Sequence, residues 1–234
     1  MKKQNVKLTL LASLVTGLLS QGAMAGGTTI VFSADVVKTT CNVASQPNNG
    51  VISGVSTQEL GNFTKDEIFT GVTKSASVGD GTYNLTPSTT APLTLTVNGC
   101  SGDELASTGS ELTLIARGTG ALDTTTIDTA NDLYGDPGVD HGFGFALGYQ
   151  ITDNSTGTAR TNNGLTASET TGFIVPSKGG IPVYKAKQTG TSGDLGNMDV
   201  SVVIAPQIAS WAGTSGAVKS GDLYSSVTFS VAMN

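Results

Sequence analysis

The stretch 221-GDLYSSVTFSVAMN-234 decides the fold, because it has the two-residue period of a β-strand. One face of the extended chain carries the apolar residues Val227, Phe229, Val231 and Met233, and small or polar residues alternate with them. A strand with this regularity needs a hydrogen-bonding neighbour on each edge. No further strand follows it in the sequence, which leaves open where the neighbour on its far edge lies.

The same period recurs in earlier segments, whereas helical periodicity is almost absent after the first 25 residues. Turn-rich stretches with Gly, Asn, Asp and Ser separate these segments. Seven or so strands at this spacing predict a single all-β sandwich with long loops. The Thr-rich segment 117–140 lacks a strand pattern and is predicted to be a long loop or insertion. The strand candidates are 28-TTIVFSADVVKTTCNV-43, 91-APLTLTVNGC-100, 110-SELTLIARG-118, 142-GFGFALGYQITD-153, 181-IPVYKAKQT-189 and 198-MDVSVVIAPQI-208.

The first 25 residues have the three parts of a secretory signal peptide. Lys2, Lys3 and Lys7 are positive, 8-LTLLASLVTGLL-19 is too short an apolar run to span a bilayer, and 23-AMA-25 is a small-residue cleavage site. We therefore expect export, with a mature chain that begins near Gly26. The alternative, an uncleaved membrane anchor, requires a longer apolar stretch.

The charge balance argues against nucleic-acid or anionic-membrane binding. Without the three lysines of the signal peptide, the chain carries nine basic and 18 acidic side chains, a net charge of about −9. Polyanions require clustered Lys and Arg. We therefore expect no nucleic-acid partner.

The two cysteines, Cys41 and Cys100, predict one disulfide in an oxidising compartment. A metal or redox pair is the weaker alternative, because the sequence has no CxxC motif and a single histidine. Closing a loop of some sixty residues contributes about 4 kcal/mol in the chain-entropy model.

Catalytic and metal-binding chemistry finds little support in the sequence. His141 is the one histidine, no nucleophile motif accompanies it, and we expect a solvated loop side chain and no enzymatic activity. Acidic residues recur every four positions at Asp128, Asp132, Asp136 and Asp140, but the D-x-D-x-D-G spacing of a calcium loop is not met. A solvated acidic loop is therefore expected, with no metal and no cofactor.

Trp211 is interpreted as a partly buried loop anchor, with a carbohydrate-stacking platform as the alternative.

Beyond these local patterns, the chain resembles the pilin subunits of chaperone–usher fimbriae of the type 1 and P pilus kind. The resemblance runs in order over most of the mature sequence and rests on four marks. They are the alternating segment before the first cysteine, the second cysteine closing the strand 92-PLTLTVNGC-100, Gly221 fourteenth from the C-terminus, and the ending 227-VTFSVAMN-234. Two residues depart from the family pattern: Met233 stands where Tyr is usual, and Ala34 stands where Gly is usual.

The resemblance implies an immunoglobulin-like β-sandwich that lacks its last strand and is completed by donor-strand exchange. Residues 1–25 would be the signal peptide, 26–37 the N-terminal donor-strand extension and 38–234 the pilin domain. The implied donor residues are Ile30, Phe32, Ala34 and Val36. The implied acceptor edge and chaperone contact comprise Gly221, Val227, Phe229, Val231, Met233 and Asn234.

The implied partners are a periplasmic pilus chaperone, an outer-membrane usher and other copies of this chain or related pilins, joined head to tail. The resemblance thus implies export through the periplasm to a fimbrium on the bacterial surface, where it would support adhesion to surfaces or host cells. The alternative is a minor or tip subunit that binds a host glycan or protein receptor. An alternating segment before the first cysteine is also compatible with an ordinary first strand.

Overall fold

The computed structural model describes residues 24–34, 42–46, 55–100, 111–122, 132–154, 164–185, 198–211 and 215–233. These residues form a β-sandwich of two sheets, so the predicted all-β class is confirmed. Short 3₁₀ turns occur at Ala167–Glu169, Pro176–Lys178 and Ser215–Ala217. The described strands are β1 (Met24–Ala34), β2 (Asn42–Gln46), β3 (Val55–Thr64), β4 (Thr73–Val78), β5 (Gly81–Pro87), β6 (Leu93–Asn98), β7 (Glu111–Gly118), β8 (Phe143–Asp153), β9 (Thr171–Ile174), β10 (Gly180–Lys185), β11 (Asp199–Ser210) and β12 (Leu223–Met233), and the described helix is α1 (Lys65–Thr70).

The first sheet has the strand order β10-β7-β12-β1-β3. Its pairs are antiparallel except β1 with β12, which run parallel. In the second sheet β11 is central, with β8 along one edge and, on the other, β6 beside its first half and β5 beside its second half. Strands β9, β2 and β4 extend this sheet from β8, β6 and β5.

The main core lies between the sheets and follows the alternation expected from sequence. Leu93, Leu95 and Val97 of β6 are buried, as are Phe143, Phe145 and Leu147 of β8. The threonines between the β6 residues are half-buried, so this strand presents its apolar side to the core and its polar side outward. The periodicity in these segments therefore identified both the strands and their inward faces.

A second apolar cluster covers the opposite face of the second sheet. Ala146 and Ala209 belong to it, although their neighbours Phe145 and Ile208 belong to the main core. Ala121 and Leu133, from either end of the segment predicted as a long loop, pack into this cluster. The backbone of Tyr134 anchors the segment by exchanging two hydrogen bonds with Phe145, at 2.9 and 2.7 Å. The segment begins in β7, and its described residues after Gly118 form an extra layer over the second sheet.

Asp132 anchors the same segment, and the expectation that it is solvated is wrong. Its side chain is 2% exposed. Its Oδ2 accepts hydrogen bonds from the backbone N–H of Asp80 at 3.1 Å and of Gly81 at 2.9 Å, and from the hydroxyl of Tyr83 at 3.3 Å. These three donors replace the water that the buried carboxylate has lost.

The other acidic residues of that pattern serve local turns. Asp136 accepts from the backbone N–H of Gly138, and Asp140 accepts from that of Gly142. Asp128 lies outside the described residues. Within the part of the chain that the structure describes, no group of three or more His, Cys, Asp or Glu side chains is placed to hold a metal ion.

His141 is also buried, so the prediction of a solvated histidine is wrong. It is 6% exposed and contacts Phe143 edge-on, with ring centroids 5.8 Å apart. Its ring also lies close to Gly221, which precedes β12, and its carbonyl accepts a hydrogen bond from the backbone N–H of Lys219. Trp211 is half-buried against the second cluster, as expected for a loop anchor.

Helix α1 was not predicted, because six residues are too few to show a helical period. It begins with a capping box: Thr64 Oγ1 accepts from the N–H of Glu67, while Glu67 Oε2 accepts from the N–H of Thr64 at 2.7 Å. The hydrogen bonds from Thr64 lower the pKa of the Glu67 carboxyl. Ile68 is the buried residue that attaches the helix to the core. Among the described residues, no helix has the length and apolar character needed to cross a membrane.

Candidate functional site

Strand β12 contains the residues singled out as an accepting edge, and it lies in the middle of the first sheet. Its segment Val227–Met233 pairs antiparallel with β7. Val227, Phe229 and Val231 are buried in the main core, which confirms the inward face predicted from the alternation. Met233 ends the strand opposite Leu112, and its side chain, like the whole of Asn234, lies outside the described residues.

The far edge of β12 is occupied by β1 of the same chain, running parallel to it. In this register Ile30 lies beside Ser225, Phe32 beside Val227 and Ala34 beside Phe229. The question of where this neighbour lies is therefore answered, in this structure, by the segment predicted to be a donor strand.

Two of the four predicted donor residues are seen to enter the core. Ile30 and Phe32 are 0% and 2% exposed, whereas Val31 between them is half-buried on the outer side. The ring of Phe32 stacks on that of Phe229, with centroids 5.8 Å apart and an interplanar angle of 29°. Ala34 is the last residue of β1 and its side chain lies outside the described residues, as does the whole of Val36.

The other edge of β1 pairs antiparallel with β3, a strand that the sequence analysis missed. Ile30 lies opposite Gln58 in this pair. An irregularity near Thr28 coincides with Gly61, whose φ of +102° few other residues adopt. Strand β1 begins at Met24, two residues before the expected mature N-terminus, so the regular pairs from Thr29 onward belong to the mature chain.

We call the space between β12 and β3, which β1 fills, the β1 groove. Its described inward-facing positions are Ser225, Val227 and Phe229 on β12 and Gln58 and Leu60 on β3. Backbone groups of both flanking strands face the groove. A strand in it therefore satisfies the hydrogen bonds of two edges and completes one core at once.

Gly221 precedes β12 at the end of the strand where His141 is buried. Its φ is +147°, and a Cβ built on it would lie 3.6 Å from His141 Cε1. The backbone conformation, more than a lack of space, therefore requires glycine here.

Cys100 follows β6, is 1% exposed and is disulfide-bonded. Cys41 is the one other cysteine in the sequence and lies outside the described residues, directly before β2. The pairing of β2 with β6 places Asn42 opposite Asn98.

The principal charge cluster of the described residues lies at the outer edge of the first sheet, on β10 and β7. Lys185 of β10 pairs with Glu169 and, at 3.6 Å, with Glu111 of β7. The hydrogen bond from Lys185, with others from Thr166, lowers the pKa of the Glu169 carboxyl to about 2. The cluster joins β10 to the turn before β9 and leaves the β1 groove uncharged among its described residues.

The fold and the site together define a two-sheet β-sandwich that carries its own N-terminal strand in the middle of one sheet. The sequence matches no protein-family model, and no curated protein matches it either. The function is therefore argued from the groove itself.

Proposed function

We propose that this protein is the structural subunit of a chaperone–usher fimbria, an incomplete immunoglobulin-like sandwich that polymerises by donor-strand exchange and supports bacterial adhesion. The observation that carries the proposal is the position of β1. This strand lies between β12 and β3 and buries Ile30 and Phe32 in the core. Any second copy of the chain offers a strand that fits the same groove.

The energetics favour exchange over an empty groove. Without β1, both β12 and β3 would be left with an unpaired edge, and the ring of Phe229 would lose its stacking partner. An open edge above an exposed core recruits another strand. Exchange of an identical element between copies costs little, because the same contacts form in both arrangements.

The proposed fibre requires exchange in the open, head-to-tail form, because a reciprocal exchange of the same strand between two copies would give a closed dimer. The donating element is β1, and the accepting edges are β12 and β3, so each copy has one donor and one different acceptor. Contacts of this head-to-tail kind propagate unless the rotation between copies closes a ring. The buried alternating segment supports a subunit within the fibre over the tip-subunit alternative, since a tip subunit has no further copy to complete.

A peptide-exchange experiment on the purified full chain tests the proposal. A fluorescent peptide of residues 26–37 is incubated with the protein and followed by size-exclusion chromatography. We expect time-dependent incorporation of the wild-type peptide and none of a peptide with Phe32→Asp, because a buried carboxylate without a partner is strongly unfavourable. Absence of incorporation, while hydrogen exchange shows the amides of Ile30 and Phe32 opening over the same period, would exclude strand exchange.

A second experiment examines the fibre directly. Cells that assemble the protein are compared by electron microscopy after the substitution Phe32→Asp or Val31→Asp. Phe32 faces the core and Val31 faces outward on the same strand. We expect fibres with Val31→Asp and none with Phe32→Asp; fibres in both cases would contradict the role given to β1.

A further inference from the structure

The β1 groove has a polar position that its own strand does not satisfy. Ser225 is 3% exposed, and its Oγ has no hydrogen-bond partner among the described residues. Oε1 of Gln58 is likewise buried without a partner in this part of the chain. A buried polar atom without a hydrogen bond destabilises the state that contains it.

Both atoms belong to residues that flank the same residue of β1. Ile30 lies beside Ser225 on one edge and opposite Gln58 on the other. The side chain of Gln58 is fixed in orientation, because its Nε2 donates to the carbonyl of Ala91 at 3.2 Å, which leaves Oε1 as the unpaired atom. The hydrocarbon side chain of Ile30 therefore lies between two residues with polar atoms that are unpaired in the described part of the chain, Ser225 Oγ and Gln58 Oε1.

The next inward position of the groove is different in character. Phe32 lies beside Val227 and stacks on Phe229, so its described neighbours on β12 are apolar. Along β12 the groove thus has one polar inward position, Ser225, followed by the apolar Val227 and Phe229.

We propose that Ser225 and Gln58 form a polar subsite of the β1 groove that selects a hydrogen-bonding side chain in the strand of a partner chain. This inference rests on the proposed function and specifies the preferred partner as a related chain, because a second copy of this chain carries Ile30 at this position. A strand that runs parallel to β12, as β1 does, carries Thr, Ser or Asn beside Ser225 and an aromatic residue two positions later, beside Val227. Its hydroxyl or amide donates to Ser225 Oγ or to Gln58 Oε1, which Ile30 cannot do.

A matched pair of substitutions in the full chain isolates the polarity of the subsite. Ile30→Thr and Ile30→Val have nearly the same shape and differ by a hydroxyl in place of a methyl group. We expect the Thr variant to melt at the same temperature as the Val variant or higher. At Val231, which is 2% exposed in the main core, Val231→Thr serves as the control and should lower the melting temperature.

The same comparison in a Ser225→Ala background identifies the partner of the hydroxyl. Loss of Ser225 Oγ should reduce the advantage of Thr over Val at position 30. A Thr variant that melts below the Val variant by as much as Val231→Thr melts below wild type would overturn the proposal. A Thr advantage that neither Ser225→Ala nor Gln58→Leu reduces would also overturn it.

Exchange of peptides separates this inference from the proposed function. Peptides of residues 26–37 with Thr or Val at position 30 are added to the wild-type chain. One net hydrogen bond predicts that the Thr peptide displaces β1 at a roughly three- to tenfold lower concentration. If neither peptide is incorporated but the Ile30→Thr variant still melts above the Ile30→Val variant, donor-strand exchange is contradicted and the polar subsite is supported. Preferential incorporation of the Val peptide would contradict the polar subsite.

Discussion

Truncation of Phe32 to alanine should be among the most destabilising substitutions in this protein. The side chain is 2% exposed and belongs to the main core. Removing a buried phenylalanine ring costs about 3–5 kcal/mol. The stacked contact with Phe229 contributes about 0.5–1.5 kcal/mol of that loss beyond burial alone. For a domain of this size the change corresponds to a melting temperature lower by roughly 6–20 °C.

Urea unfolding followed by intrinsic fluorescence measures the effect, with Val31→Ala as the matched control. Val31 is the next residue of the same strand, half-buried on the outer side, so its truncation should cost about 1 kcal/mol or less. Both variants keep the backbone pairs of β1 with β12 and β3. The difference between them therefore reports the core contacts of Phe32.

A double-mutant cycle with Phe229→Ala then separates the stacked pair from the rest. We expect a coupling free energy between Phe32 and Phe229 of about 0.5–1.5 kcal/mol. Equal effects of Phe32→Ala and Val31→Ala would refute the reasoning, because β1 would then not be seated in the core of the free chain.

Three other substitutions test features outside the groove. Asp132→Ala should lower the free energy of unfolding by about 3 kcal/mol, since it removes the buried oxygen that accepts from two backbone N–H groups and from the hydroxyl of Tyr83. A change below about 1 kcal/mol in urea unfolding would contradict the anchoring role. Glu169→Gln should make the melting temperature fall less steeply as the pH is lowered. Folding lowers the pKa of the Glu169 carboxyl from 4.5 to about 2. The ion pair with Lys185 therefore stabilises the folded chain fully above pH 4.5, and this stabilisation is lost as the pH falls towards 2. Parallel melting curves of both proteins over this range would exclude that contribution. Cys100→Ser should lower the free energy of unfolding by about 2–5 kcal/mol under oxidising conditions, because the disulfide is lost. Under reducing conditions the variant and the wild type should be equally stable. An equal loss under both conditions would show that packing of Cys100, not the disulfide, is responsible.

The strands that alternate strictly were predictable from sequence, and the others were not. The alternation in β6, β8 and β12 appears in the residue order itself, because one face of each strand is buried against the main core. In β3 the polar Gln58 stands at an inward position, and the irregularity at Gly61 interrupts the two-residue period, so the apolar pattern is broken. This strand forms one wall of the groove, so half of the candidate site was not recognisable from local sequence.

The burial of polar residues was also beyond local reasoning. Asp132 is buried because donors from β5 and the turn before it meet its carboxylate, some fifty positions away in sequence. The two-residue period puts Ser225 on the same face as Val227, but its residue type does not show that this position is buried beside Ile30. Long-range pairing decides such positions, and residue type alone does not encode it.

The place of β1 in the first sheet also constrains the order of folding. This strand pairs with β12, which is made last of all the described strands. The second sheet can assemble from strands that lie between them in sequence, but β1 has no partner on its β12 side until β12 itself has been made. During that interval Ile30 and Phe32 belong to an unsatisfied strand that any suitable edge can capture. Before β12 is made, a strand or sheet edge of another chain can therefore compete with β12 for pairing with β1.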